Sequence, residues 1–157
     1  MSRNVLTINP EYTRLLGKLV LDATYPRLIG MRLEAIDIDR ATILLDIDPQ
    51  RHFQPFGIVH GGVLATLIDT ATFWAAFARL PQDAGLVNID LKLNYLQPAS
   101  AGRLTAEGRC LRAGRSINYA EAHVYDESGA LLAHGTSTLM ALPGRGIDVG
   151  AEKFIQQ

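Results

Sequence analysis

Asp69 is the residue whose type and surroundings point most directly to chemistry. It is the only charged residue between His60 and Arg79, in a segment of small and apolar side chains. A carboxylate without a nearby cation is costly to bury as a charge, so burial is expected to raise its pKa. Perturbed carboxylates concentrate at functional sites, which makes Asp69 a candidate functional residue. The alternative is a structural carboxylate, hydrogen-bonded to the backbone or to a neighbouring threonine.

A second candidate is the run Val59-His60-Gly61-Gly62 at the start of the same segment. The first turn of a helix offers free N–H groups and a partial positive charge, and glycines let a ligand approach that backbone closely. Such a helix end can hold an oxyanion or polarise a carbonyl, although a tight turn that needs glycine is the alternative. Gly61 and Asp69 are eight residues apart, a rise of roughly 12 Å. One chain therefore cannot bring both to one carbonyl, whereas a two-fold partner could.

The remaining reactive residue types give weaker indications. His60 is either an acid or base or, as we favour, a hydrogen-bonded structural residue. The four histidines fall in different predicted elements without metal-ligand spacing, so no metal site is predicted: His52, His60, His123 and His134. No phosphate loop or dinucleotide fingerprint is present, and no cofactor is predicted. The turn at Gly114 and Arg115 could hold a phosphate, or it is simply a solvated turn.

The elements that must position these residues follow from hydrophobic periodicity. Helices are predicted over residues 10–23 and 61–80, and a loop over 49–60. Strands are predicted over residues 31–39, 41–48, 88–95, 102–112, 116–126 and 130–141. This pattern predicts an α+β fold in which one antiparallel sheet curls round the second helix. That helix is apolar all round, so its outer face needs a cover, which a second copy of the chain would supply.

Composition bounds the class of protein. The chain has 157 residues, 48% of them hydrophobic and 20% charged. This predicts a single domain over 1–157, with residues 1–24 as an N-terminal helical extension and 143–157 as a loose tail. The net charge of −1 does not indicate a protein that binds nucleic acid or an anionic membrane surface. No signal-peptide pattern is found at the N-terminus, so a cytoplasmic protein is expected.

At the level of motifs, the sequence resembles a known family. The run Gln54-Pro-Phe-Gly-Ile-Val-His-Gly-Gly-Val-Leu-Ala-Thr-Leu-Ile-Asp-Thr-Ala resembles the signature of hotdog-fold acyl-CoA thioesterases. It is most similar to the PaaI-like branch of the 4-hydroxybenzoyl-CoA thioesterase superfamily. Asn88-Ile-Asp-Leu-Lys-Leu-Asn-Tyr-Leu-Gln-Pro, Gly114-Arg115 and Ala133-His-Gly-Thr-Ser-Thr also fit the family pattern. The resemblance covers about residues 28–141.

The resemblance implies a hotdog fold and hydrolysis of acyl-CoA to free acid and CoA, at sites on a dimer interface, commonly within a tetramer. By position, Asp69 would be the general base or the nucleophile, and Gly61 would supply the oxyanion-hole N–H. Gln54 falls where the family places an Asn or Gln that helps to hold the carbonyl or the attacking water. Asn88 stands where many members carry Thr or Ser, and it can still donate and accept hydrogen bonds. His60 would be a supporting residue.

Substrate-binding residues are predicted around this centre. Phe53 and Phe73 would line the acyl pocket, with Phe56, Leu64 and Trp74 as further candidates. Gly62, Gly114 and Arg115 complete the predicted substrate contacts. These side chains suit aryl and medium acyl groups about equally.

Two other functions stay open from the sequence. Hotdog dehydratases act on 3-hydroxyacyl thioesters with a loop histidine, and His52-Phe53 looks like the start of that motif, although the motif is not completed. A hotdog domain can also bind acyl-CoA without hydrolysing it. This alternative stays open because Asn88 replaces the Thr or Ser that many members of the family carry.

Overall fold

A computed structural model describes residues 6–156 of the chain. Its helices and strands run in the order β1 (Leu6–Ile8), α1 (Pro10–Asp22), α2 (Thr24–Ile29), β2 (Met31–Asp37), β3 (Arg40–Asp46), α3 (Pro49–His52), α4 (Gly61–Phe77), β4 (Ala84–Tyr95), β5 (Arg103–Arg112), β6 (Ile117–Tyr125), β7 (Leu131–Pro143) and β8 (Phe154–Gln156). The predicted extension and tail also include residues 1–5 and 157, which lie outside the described residues. No helix between residues 6 and 156 is long and apolar enough to cross a membrane.

The main sheet has six antiparallel strands in the order β2-β3-β5-β6-β7-β4. Alternate residues of its strands are buried, as in β6, where Asn118, Ala120, Ala122 and Val124 are buried and the residues between them are not. All six strands contact α4, so the sheet wraps round this helix. The α+β hotdog architecture implied by the resemblance is therefore confirmed.

The central helix α4 is buried on most of its circumference, as its composition predicts. Apart from Gly61 at its first position, the half-buried or exposed positions of α4 recur every three or four residues and form one stripe, which we call the open face: Gly62, Ala65, Thr66, Asp69, Thr70 and Phe73. The helix ends at Phe77 rather than at the predicted Leu80. Leu80 instead donates its N–H to the carbonyl of Phe77 in a tight turn before Pro81.

Strand β4 is an edge of the main sheet and carries an irregularity near the open face. Its pairing with β7 shifts register between Asn88 and Asp90, so that Ile89 is an extra residue in β4. Such a bulge changes which face the following side chains occupy. As a result Asn88 lies on the same side of the sheet as Leu91 and Leu93, facing α4, although strict alternation would separate them.

The segment after Pro143 differs from the predicted loose tail. Strand β8 pairs with β1 in a second, two-stranded sheet. Just before it, Lys153 is fully buried and donates from Nζ to the carbonyls of Phe77 and Leu80, at 2.7 and 2.8 Å. The Nζ atom also lies 3.9 Å from the centroid of the Phe77 ring. The tail thus packs under the C-terminal end of α4, because the Lys153 amino group donates to backbone carbonyls at and just after the helix end.

Lys153 makes stability depend on pH in a defined window. Burial lowers the pKa of Lys153 from 10.5 to about 7. At pH values between about 7 and 10.5, Lys153 is protonated in the unfolded chain and largely unprotonated in the folded chain. The unfolded chain therefore binds more protons, so the stability contributed by Lys153 is lost as pH falls. We predict that the unfolding free energy of the wild type, measured relative to that of Lys153→Met, rises by about 2 kcal/mol between pH 7 and pH 9. Urea unfolding at a series of pH values checks this, and parallel curves for the two proteins would contradict it.

Candidate active site

Asp69 lies in the middle of the open face of α4 and is half-buried. Its carboxylate accepts a hydrogen bond of 2.7 Å from Nδ2 of Asn88, and no cation pairs with it among residues 6–156. Burial raises the pKa of Asp69, and the Asn88 hydrogen bond opposes that rise in pKa. The carboxylate is therefore desolvated and compensated only by one neutral donor.

The threonines near Asp69 do not satisfy its carboxylate. Thr72 donates to the backbone carbonyl of Asp69 at 2.9 Å, and the Thr70 hydroxyl is directed to the sulfur of Met31 at 3.7 Å. The Thr66 hydroxyl is paired with that of Tyr25 at 2.7 Å. The alternative of a carboxylate held by threonines is thus wrong, and one carboxylate oxygen is left without a partner in the described part of the chain.

The N-terminus of α4 leaves one backbone donor free. His60 caps the helix: its Nδ1 accepts from the N–H of Gly62 at 2.8 Å, and its carbonyl accepts from the N–H of Val63 at 2.9 Å. The N–H of Gly61 has no acceptor among the described residues. His60 therefore supports the helix end, and the predicted oxyanion donor, Gly61, is the group that stays available.

A pocket of about 420 Å³ opens in front of Gly61. Gln54 and Leu64 line it together with Tyr95 and Pro98. A Cβ at position 61 would lie 2.9 Å from Cζ of Tyr95, so a larger residue there would have to displace the exposed Tyr95 ring. The pocket thus joins two of the predicted site residues, Gln54 and Gly61. Tyr95 is a site residue that the sequence analysis missed, although it closes the alternating run that begins at Asn88.

The other predicted substrate contacts lie in separate places. Phe53 forms an isolated bridge with Val59 beside the Gly61 pocket, and Phe73 lies on the open face one turn beyond Asp69. Gly114 and Arg115 line a different pocket of about 330 Å³, near Leu80 at the opposite end of α4. Within one chain the structure therefore brings together Asp69 with Asn88, and Gln54 with Gly61, but not the two pairs.

Two of the further acyl-pocket candidates do not line the pocket in front of Gly61 within one chain, and their predicted role stays a prediction. Trp74 is buried in the core, edge-on to the rings of Phe73 and Phe77, at centroid distances of 4.9 and 5.3 Å. Phe56 projects outward and is 87% exposed. Neither side chain lines the pocket in front of Gly61.

His52, the histidine of the dehydratase alternative, is a structural residue. It is buried, its Nδ1 accepts from the N–H of Asp48 at 2.8 Å, and its Nε2 lies 2.7 Å from the carbonyl of Ile29. Both ring nitrogens are thus engaged with backbone groups. A base in a dehydratase needs a free ring nitrogen next to the substrate, so this geometry disfavours that alternative.

Comparison with known proteins decides the family. Residues 56–133, which include Gly61, Asp69 and Asn88, match the thioesterase superfamily. The chain belongs to the thioesterase superfamily. The predicted class, a thioester hydrolase, is confirmed at this level, while membership of the PaaI-like branch stays a prediction.

Relatives of this thioesterase superfamily member carry matching names. The 1,4-dihydroxy-2-naphthoyl-CoA hydrolase of Listeria monocytogenes is 28% identical over 111 residues, which are 71% of this chain and 89% of that protein. The medium/long-chain acyl-CoA thioesterase YigI of Escherichia coli is 27% identical over 142 residues, 81% of this chain and 92% of that protein. A crystal structure of a Haemophilus influenzae thioesterase superposes with a TM-score of 0.76 at 26% identity, covering 82% of this chain and 88% of the other.

The Asn88 hydrogen bond to Asp69 can be tested directly. Because this bond stabilises the charged carboxylate, Asn88→Ala is predicted to raise the pKa of Asp69 further. Asn88→Thr retains a hydrogen-bond donor, so the pKa of Asp69 in this variant is expected to lie between its values in the wild type and in Asn88→Ala. Titration of the Asp69 carboxyl carbon by NMR measures the three pKa values. An unchanged or lower pKa in Asn88→Ala would show that Asn88 does not stabilise the carboxylate.

Proposed function

We propose that the chain hydrolyses acyl-CoA thioesters at a site built by two copies of itself. The observation that carries this proposal is the half-buried carboxylate of Asp69, which has no cation partner in the described residues and lies on the open face of α4. Family membership supports thioester hydrolysis. The names of two relatives, a naphthoyl-CoA hydrolase and an acyl-CoA thioesterase, support CoA as the thiol.

A second copy is needed because the two reactive groups lie far apart in one chain. Gly61 and Asp69 are separated by roughly 12 Å along one straight helix. Within residues 6–156, Asp69 on the open face is only half-buried, with Asn88 of β4 beside it. Next to Asp69 lies the free edge of β4, where Val87 and Ile89 are 39% and 55% exposed. An unpaired edge with apolar side chains is a surface that another strand can cover.

A two-fold axis through β4 would solve this separation. Asp69 contacts Asn88 near the start of β4, and Gly61 lies against Tyr95 at its end. If β4 pairs with its copy in antiparallel fashion about a point midway between Asn88 and Tyr95, Asn88 comes opposite Tyr95 of the partner subunit. Asp69 then approaches Gly61 of the partner subunit. The two-fold symmetry creates two such sites for each dimer. Further association to a tetramer is compatible with this dimer.

The chemistry at the shared site follows from the available groups. The thioester carbonyl oxygen accepts a hydrogen bond from the free N–H of Gly61, where the helix N-terminus stabilises developing negative charge. Asp69, ionised, removes a proton from a water whose oxygen bonds to the carbonyl carbon. The carbon–sulfur bond then breaks, and the thiolate of CoA takes up the proton. Direct attack by the Asp69 carboxylate, followed by hydrolysis of the resulting anhydride, gives the same products and stays an alternative.

The neighbouring residues have positioning roles in this proposal. Asn88 orients the carboxylate of Asp69 and favours its ionised form. His60 occupies the N–H of Gly62, which directs the carbonyl to Gly61. Gln54 lies in the same pocket as Gly61, within reach of a bound carbonyl or water. In the two-fold arrangement the α4 helices run antiparallel, so Gly114 and Arg115 of one chain lie toward the Gly61 end of the other, where Arg115 would contact a phosphate of CoA.

The acyl group would enter the pocket in front of Gly61 and extend toward the open face. Leu64 and Tyr95 line the first part of this path, and Phe53 lies beside it. Phe73, on the open face of the opposite helix, would supply the far wall. This aromatic and aliphatic lining favours an aryl or medium-chain acyl group over acetyl, since contact with apolar walls increases with acyl size.

The proposal predicts a large effect for one isosteric substitution. Asp69→Asn keeps the shape of the side chain and removes the charge, so it is expected to lower kcat for release of free CoA by about 10²- to 10⁴-fold. Asp22→Asn removes an equal charge from an exposed position at the end of α1 and is expected to leave kcat unchanged.

Thiol release from phenylacetyl-, hydroxybenzoyl-, hexanoyl-, lauroyl- and acetyl-CoA measures both variants. Wild-type turnover in Asp69→Asn would contradict the assigned role. Tight binding of acyl-CoA without thiol release would favour the non-catalytic alternative, and hydration of an enoyl-CoA would favour the dehydratase.

A further inference from the structure

Three metal-ligating side chains meet on the face of the sheet that is turned away from α4. His123 in β6 and His134 in β7 are directly opposite each other in the strand register. Glu121 precedes His123 by two residues, so its side chain points to the same face. The even-numbered neighbours of these β6 residues, Ala120 and Ala122, are buried against α4. The cluster of Glu121, His123 and His134 is thus built on two central strands.

The spacing within this cluster suits a metal ion. One ligand atom of each side chain lies within 4.8 Å of those of the other two. Nε2 of His134 and Oε2 of Glu121 are 3.4 Å apart. Two ligands of a tetrahedral zinc ion, with bonds of about 2.0–2.1 Å, are also roughly 3.4 Å apart. The ligand atom of His123 lies within 4.8 Å of these two atoms.

The surroundings of the cluster hold the ligands in place. The rings of His123 and His134 have centroids 4.4 Å apart, and the ring of Tyr125 stacks with that of His123 at a centroid distance of 6.1 Å. The side chains of His134 and Glu121 are 31% and 23% exposed, so they are partly shielded but reachable from solvent. Arg109 is opposite Glu121 in β5, yet among the described residues the Glu121 carboxylate pairs with His134 and not with an arginine or a lysine.

We propose that Glu121, His123 and His134 bind a divalent transition-metal ion, with Zn²⁺ as the expected occupant. Two neutral imidazoles and one carboxylate are a ligand set typical of zinc, and their summed charge of −1 attracts a dication. Three protein ligands leave a fourth coordination position for water or for a donor from another molecule. No metal site is predicted from the sequence, where the two histidines fall in different elements, but the antiparallel pairing of β6 and β7 brings them into contact.

Calorimetric titration of tag-free, chelator-treated protein with ZnCl₂ tests this site. The expected result is one zinc ion bound per chain. Affinity is expected to fall by at least about tenfold in His134→Ala and in the isosteric Glu121→Gln, because each removes one ligand. His60→Ala removes a histidine outside the cluster and is expected to bind zinc like the wild type. Circular dichroism checks that each variant is folded.

Three outcomes would overturn the proposal. The first is no stoichiometric zinc binding by the wild type. The second is unchanged affinity in both His134→Ala and Glu121→Gln, which would mean that zinc binds elsewhere. The third is an equal loss in His60→Ala, which would mean that zinc binds to surface histidines without a defined site. Absorption of bound Co²⁺ gives an independent readout, since tetrahedral coordination by the cluster would change the cobalt spectrum in the wild type and not in His134→Ala.

Discussion

The central constraint in this structure is the carboxylate of Asp69, which is half-buried and has no counter-charge among residues 6–156. Removing an ionised carboxyl group from water is costly, and a single neutral donor, Asn88, offsets only part of that cost. The neighbours of Asp69 in α4 are apolar residues and threonines, and none of them supplies a counter-charge. A group kept at such a cost in an apolar setting is suited to reactivity, since desolvation makes a carboxylate more basic.

The rest of the fold follows from how this helix is enclosed. Six strands wrap α4 and bury most of it, but the sheet stops at β4 and leaves one face of the helix open. That face carries Asp69, and the helix end that carries the free N–H of Gly61 lies roughly 12 Å away. A site that uses both groups therefore depends on what covers the open face. The proposed two-fold pairing of β4 accounts for the edge, the open face and the separated reactive groups together.

The helix α4 and the strands of the main sheet were predictable from the sequence, because periodicity depends on local burial, whereas the short helix α3 lies within the predicted loop over 49–60. The 3.6-residue period of α4 and the alternation in β6 and β7 predict elements whose bounds agree with the structure to within a few residues. The bulge at Ile89, which turns Asn88 toward Asp69, was not predictable, because strict alternation in the sequence conceals it.

Other features depend on contacts between residues far apart in the chain. The tail was predicted to be loose because its residues show no period, yet the hydrogen bonds of Lys153 to the end of α4 hold it in place. Tyr95 over Gly61 and the pairing of His123 with His134 likewise require the strand register. Whether Asp69 and Gly61 act in one site depends on how two chains are arranged in the dimer, which the sequence does not specify.

A subunit-complementation assay tests most directly whether Asp69 of one chain and Gly61 of the other form one site. Asp69→Asn lacks the base, and Gly61→Val blocks the pocket in front of Tyr95, so each variant alone should be inactive. When the two are mixed at equal amounts and allowed to exchange subunits, half of the dimers are mixed, and each contains one intact site made of Asp69 from one chain and Gly61 from the other. The account predicts recovery of about one quarter of wild-type thioesterase activity. No recovery, with mixed dimers demonstrated by native mass spectrometry, would contradict it.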